Sequence, residues 1–343
     1  MSRRQVALGA LTGIAVLAVA ALAVLPSIVW PSPRDDPHLA AAGTSSAPVV
    51  VSRVTISQRP SPSPSPSPTP VVIPELTGPT QPANPPPPPP PPPPPRGYIG
   101  PPATNPTEAV ANAYAAGTSL QPAATMAVAL LDLQSGTLYG SPNIDRQFAS
   151  ASVVKVFIAT RLLVDGEAAD PAVQDLMWKM ITCSDDDAGS KLYILAGSES
   201  LVGWVQARYG ISGLAPANIP NYWGLTRITA RAMTTFYADV AGDPAVAPWL
   251  LNAMANVQEY GCDGYREWFG IPDAANDWMV KQGWMCCLEN LTRLHSTGYV
   301  DQHRYAVAML TAGPRSYYEQ DAGATLTMMA QALMPDGVIP GAA

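Results

Sequence analysis

Proline decides first where this chain can fold. Most of its 39 prolines stand before residue 107, with a Ser-Pro repeat over Ser61–Ser67 and an unbroken run from Pro85 to Pro95. Each proline removes a backbone donor and fixes φ, so such a stretch cannot build a packed core. It favours polyproline II, which rises about 3.1 Å per residue and acts as a semi-rigid spacer. Residues 31–104 are therefore read as a disordered stalk that contacts the cell wall, and residues 105–343 as the folded part. That length suits one two-lobed domain.

Before the stalk, Arg3 and Arg4 precede an apolar run from Val6 to Trp30 that holds no charged residue. At about 1.5 Å per residue this run exceeds a hydrocarbon core of about 30 Å, and a signal peptide has a shorter apolar region. Residues 1–30 are expected to be a single-pass anchor, with a cleaved signal as the alternative. The leading arginines put the N-terminus inside and the rest outside the cytoplasm. No cysteine lies near this segment, which excludes a lipid-modified cysteine there. Charged residues make up only 13% and the formal net charge is −7, which argues against nucleic acid as a partner.

The four cysteines, Cys183, Cys262, Cys286 and Cys287, fit no zinc spacing, and no metal or cofactor is expected. In an exported domain they imply one or two disulfides, with free buried thiols as the alternative. If Cys286 and Cys287 sat on a strand they would point to opposite faces and need different partners.

Within the folded part, Pro106 starts a helix to about Ala116. Thr125–Leu133 reads as a buried strand, Gln134-Ser135-Gly136 as a turn and Thr137–Gly140 as a second strand. An apolar helix follows Phe148, and further helices are predicted at Ala172–Thr182, Ala188–Ala196, Ser200–Arg208, Thr229–Val240 and about Gln320–Leu333. Trp278–Met285 and Arg304–Thr311 read as strands. The order gives an α+β sandwich: an antiparallel sheet flanked by terminal helices, with an inserted helical lobe.

Three short motifs carry chemistry. In Ser152-Val153-Val154-Lys155, residues three apart share a helix face, so an amine stands beside a hydroxyl that needs a base. Ser184-Asp185-Asp186 has an ordinary explanation as a helix N-cap. Lys281-Gln282-Gly283-Trp284 sits in a predicted strand, where the glycine marks close backbone approach and the lysine suits an anion. Together and in this order they resemble the Ser-x-x-Lys, Ser-Asp-Asn and Lys-Thr-Gly motifs of class A β-lactamases and penicillin-binding proteins.

The resemblance implies that Ser152 forms an acyl-enzyme, Lys155 helps deprotonate it, and Ser184 relays a proton to the leaving nitrogen. Lys281 would bind a substrate carboxylate, with Asp186, Gln282, Gly283 and Trp284 also meeting substrate. The N–H groups of Ser152 and Trp284 would form the oxyanion hole. Peptidoglycan peptides or a related small molecule are the implied substrates.

Three departures stand against full activity. Asp186 replaces an asparagine, and its charge favours the ammonium form of Lys155 over the free base. Gln282 replaces a Thr or Ser and would crowd the strand edge. The stretch Gly213–Thr226 contains no Glu or Asp where class A enzymes supply the acid that activates the deacylating water. Slow deacylation follows. A non-catalytic wall-binding relative and a true β-lactamase are the other readings. His295 and His303 fall near a predicted turn and pair with no carboxylate pattern, so a Ser-His-Asp triad is unsupported. Trp223, Tyr260, Tyr265 and Trp268 read as core or rim.

Overall fold

The computed structural model describes residues 47–56, 100–319 and 322–341. The expected anchor over 1–30 and the proline repeats lie outside these residues. Among the described residues no helix is long and apolar enough to cross a membrane.

In chain order the elements are β1 (Val50–Arg53), α1 (Pro106–Leu120), β2 (Thr125–Asp132), β3 (Thr137–Gly140), β4 (Phe148–Ala149) and a 3-10 turn at Ala151–Val154. Then come α2 (Lys155–Asp165), α3 (Pro171–Thr182), α4 (Asp186–Leu195), α5 (Ser200–Tyr209), β5 (Arg227–Ile228), α6 (Ala230–Ala241) and α7 (Ala247–Ala255). The chain finishes with β6 (Trp278–Met285), β7 (Leu291–Val300), β8 (Tyr305–Pro314), α8 (Arg315–Glu319) and α9 (Ala322–Leu333).

Six strands form one sheet in the order β1-β3-β2-β8-β7-β6, every pair antiparallel. Strand β2 shows why its sequence is apolar without interruption. Met126, Val128 and Leu130 join the core beneath α1 and α9, while Ala127, Ala129 and Leu131 join the core of the helical lobe. Alternation by two thus buries both faces. Helix α1 starts where proline allows it. Asn105 caps the Glu108 N–H at 3.0 Å, and Glu108 in turn accepts from the Thr104 N–H and hydroxyl.

Three expectations need correction. The domain does not begin at residue 105, because β1 pairs Val50–Arg53 with Thr137–Gly140 inside the segment assigned to the stalk. An edge strand needs backbone bonds on one side only and leaves Val50 and Val51 exposed, so it carries no apolar pattern. Val54 and Ile56 then pack on the core. The proline-rich stretch therefore joins two elements of one domain.

The second concerns Cys286 and Cys287, which are bonded to each other, while Cys183 is bonded to Cys262. The vicinal pair lies past the end of β6, so the alternation of a strand does not govern it. Third, Leu291–Val300, for which the sequence suggested no element, is the buried strand β7.

Candidate active site

The site forms where the β6 edge meets the 3-10 turn that opens α2. Gly283 is required there. A Cβ on it would lie 3.0 Å from the Ser150 carbonyl oxygen and 3.0 Å from Val153 Cγ2. The turn itself holds Ala151 at φ 46°, a left-handed conformation that costs a non-glycine residue about 1–2 kcal/mol. Its neighbours fix it. The Ser150 N–H donates to the Thr226 carbonyl at 2.8 Å, and the Val153 N–H returns to the Ser150 carbonyl at 3.1 Å.

Ser152 follows this residue and is 6% exposed. Lys155, one turn on, is fully buried. Its Nζ donates to the Ser184 main-chain oxygen and to Asp186 Oδ1, both at 2.6 Å, and lies 4.7 Å from the Trp223 ring centroid. Gly189 makes room for this chain, since a Cβ there would sit 2.9 Å from Lys155 Cε.

The link between α3 and α4 divides its acids by task. Asp185 is the N-cap of α4, accepting from the Ala188 N–H at 2.8 Å, so the ordinary reading of that motif is right for this residue. Asp186 is the next residue and turns to Lys155 instead. Ser184 takes φ 57° and offers its hydroxyl to the opposite side. Lys281 Nζ donates to Ser184 Oγ at 2.8 Å and to the Gln282 carbonyl at 3.0 Å. Ser184 thereby receives one buried lysine at its carbonyl and the other at its hydroxyl.

Lys281 is pushed down to about 8, first by burial and then by the nearby charge of Lys155, against the opposing pull of Glu267 and Asp186. Glu267 went unnoticed in the sequence. It comes from the irregular segment between α7 and β6, is buried, and sets Oε2 3.6 Å from Lys281 Nζ. The only sequence signal was a charged residue amid the aromatic residues Tyr265 and Trp268, which is weak.

Two of the expected residues have side chains packed into the fold. Gln282 is fully buried and donates Nε2 to the Phe269 carbonyl. Successive strand residues face opposite sides, which separates it from Lys281. Trp284 is buried and stacks on Tyr265 with centroids 4.2 Å apart.

His295 lies within β7. Its Nδ1 accepts from the Thr311 N–H at 3.2 Å, which leaves Nε2 as the donor to the Ala149 carbonyl at 2.8 Å. Burial pushes this neutral imidazole down to about 4. It clamps β7 to the strand just before the Ser152 turn. Trp223, expected as core or rim, is buried beneath Lys155 and donates Nε1 to Ser190 at 3.1 Å.

The acid-free loop over 213–226 forms an apolar wall, with Leu225 packed against Ala151 and Met285. Cys183, Asp185 and Cys262 have the ligand types of a metal site, but both sulfurs are spent on each other.

No family model matches the chain. It is 32% identical over 228 residues to "Putative lipoprotein LppW" of Mycobacterium tuberculosis, spanning 63% of this chain and 71% of that protein. A β-lactamase from Chitinophaga pinensis superposes with a TM-score of 0.54 at 12% identity, over 66% of this chain and 98% of that one. A representative class A β-lactamase from Bacteroides cellulosilyticus gives 0.54 at 14% identity, over 68% and 98%. The two superpositions show that the fold is that of the class A β-lactamases.

Proposed function

Because the chain belongs to the LppW family and has the class A β-lactamase fold, we propose that it is an exported serine hydrolase that acylates on Ser152 and deacylates slowly. The observation that carries this reading is Ser184 held between two buried lysines, Lys155 at its carbonyl and Lys281 at its hydroxyl. In the proposed reaction Ser152 Oγ bonds to a carbonyl carbon while Lys155 takes its proton. The oxyanion faces the N–H groups of Ser152 and Trp284. As the C–N bond breaks, the proton ends on the leaving nitrogen, carried across by Lys155 and Ser184.

The proposed substrates are peptidoglycan peptides or related amides and esters. A penicillin would acylate the same serine and leave slowly, since the loop over 213–226 offers no acid to activate water. That same lack argues against an efficient β-lactamase. The relative's name makes it a lipoprotein. Here the first cysteine is Cys183, so membrane attachment is assigned to the apolar segment Val6–Trp30.

A second reading rests on the 2.6 Å ion pair between Asp186 and Lys155. If that pair keeps Lys155 from acting as a base, the protein binds at the wall without turnover. Intact mass decides between them. The full chain in detergent, incubated with benzylpenicillin and with a fluorophosphonate, is expected to gain one stable adduct that Ser152→Ala abolishes. No adduct with either reagent on folded protein would establish the second reading.

A further inference from the structure

Glu267 is a buried charge for which packing offers no reason. Its residue is 1% exposed, and Oε2 has no hydrogen-bond partner. A carboxylate so placed is costly unless a cation compensates it. The nearest such cation is Lys281, whose Nζ stands 3.6 Å away and is itself fully buried.

The segment that carries Glu267 has no helix or strand, yet it is tightly organised. Arg266 binds both oxygens of Asp273 at 2.9 Å, and its Nε binds Glu259 at 2.9 Å. The Glu267 N–H donates to the Glu259 carbonyl at 2.7 Å. The segment is also tied to the Ser184 turn. The Gln258 N–H donates to the Thr182 carbonyl at 2.7 Å, the Cys262 N–H to the Cys183 carbonyl at 2.6 Å, and the Cys183–Cys262 bridge joins the two segments covalently. Glu267 is thus held against Lys281 by the same ties that hold Ser184.

We propose that Glu267 is a positioning residue of the acylation site, whose carboxylate keeps Lys281 as the ammonium that donates to Ser184 Oγ and receives a substrate carboxylate. The proposal rests on the acylating reading for its chemical meaning. Without Glu267, two buried lysines would share one carboxylate, Asp186. The charged groups that face Lys281 are Glu267 from this segment, Lys155 from α2 and Asp186 from α4. Across β7, Thr297 contributes only a hydroxyl, bonded to the Lys281 carbonyl, and α7 carries no ionisable residue. Lys281 titrates near 8 against burial and the repulsion of Lys155, and Glu267 is the largest influence holding it that high.

The test uses the full chain and its four lysines, Lys155, Lys179, Lys191 and Lys281, labelled with 13C and 15N for a pH titration by NMR. Lys281→Arg identifies the Lys281 signal. In Glu267→Gln the Lys281 midpoint is expected to fall by about two pH units, within the 1–3 typical of an opposite charge at this range. Only about a tenth of Lys281 then remains ammonium at pH 7, so benzylpenicillin acylation falls about tenfold. Fluorophosphonate labelling changes less than about twofold, because fluoride leaves without a proton from Ser184 and the reagent carries no carboxylate to bind. Glu267→Asp keeps the charge one methylene farther away. It is expected to lower the midpoint by less than Gln does and to restore most of the penicillin acylation.

An unchanged Lys281 midpoint in folded Glu267→Gln overturns the proposal. If Gln does not fold, Glu267→Met, of similar size and without charge, is titrated in its place and an unchanged midpoint there overturns it. If wild-type protein takes up neither reagent, the acylating reading fails, while the titration still reports whether Glu267 holds the charge on Lys281.

Discussion

Lys155 meets Asp186, a residue at the first turn of α4 whose side chain is 42% exposed. Lys281 meets Glu267, which is buried and arrives from a segment without regular structure. On the first side the geometry is nearly local. Ser152 and Lys155 share one turn, and Ser184 and Asp186 flank one N-cap. On the second side the contacts of Lys281 with Ser184 and Glu267 are tertiary. Motif spacing therefore describes the first lysine well and leaves out the partner of the second. The charge balance of a buried site is set by whichever segment folds over it.

The two disulfides extend this contrast and give the largest expected effect. Cys183–Cys262 closes a loop with a sequence separation of 79, and chain entropy alone gives it about 4.5 kcal/mol of stability at that length. It also fastens the Glu267 segment to the residue before Ser184. Cys286–Cys287 has a separation of 1 and closes no loop of consequence. Denaturant unfolding of Cys183→Ser with Cys262→Ser is expected to show that loss, and the Cys286→Ser, Cys287→Ser pair close to none. Equal losses would mean that the bridge over the tertiary side is not what holds it.

His295 tests the link from the sheet to the local side. Folded, it is neutral and titrates near 4. Unfolded, it takes a proton near 6.5. As pH falls below 6.5 the unfolded state therefore binds the proton first, and stability is lost progressively until about pH 4, where both states are protonated. The loss amounts to roughly 3 kcal/mol over that window. Unfolding at pH 7 and pH 4 is expected to show this difference in wild type and to lack it in His295→Gln. The same acid loss in both proteins would remove His295 as the clamp on Ala149.

His295 also shows where reading the sequence stops. Strands β2, β3 and β8 and most helices are visible because most of their buried residues are apolar and their flanks carry Pro106, Gly136 or Thr229. Strand β6 is read from Trp278, Met279, Val280, Trp284 and Met285 around its buried Lys281 and Gln282. Strand β7 is equally buried but contains Thr292 and Arg293, which bond to Cys286 and Leu288 just before the strand, and His295, Ser296 and Thr297, which bond to Ala149, Ile271 and Lys281 farther off in sequence. A strand whose polar groups are paired across the sheet has no apolar pattern to read. Strand β1 fails for the opposite reason, since it buries too little to need one. Helix α7 begins at a proline pair of small residues, Ala247-Pro248, which resembles loop. At the site, spacing singled out Lys155, Ser184 and Lys281, which the fold brings together. It did not show that Gln282 turns inward to the Phe269 carbonyl, because a motif position does not say which way a side chain turns.

The smallest effect is the one that bears most directly on the opening comparison. Asp186→Asn keeps an oxygen to accept from Lys155 and removes only the charge. If Asp186 merely holds Lys155 Nζ in an ion pair, its loss frees the amine to serve Ser152, which becomes a better nucleophile. Fluorophosphonate labelling is then expected to speed up about tenfold, equivalent to about 1.4 kcal/mol. This reagent isolates activation of Ser152, because its leaving group needs no proton from Ser184. Slower labelling would assign Asp186 the opposite role, as a carboxylate that itself assists removal of the Ser152 proton. The local side would then, like Lys281 with Glu267, depend on its acid rather than be restrained by it.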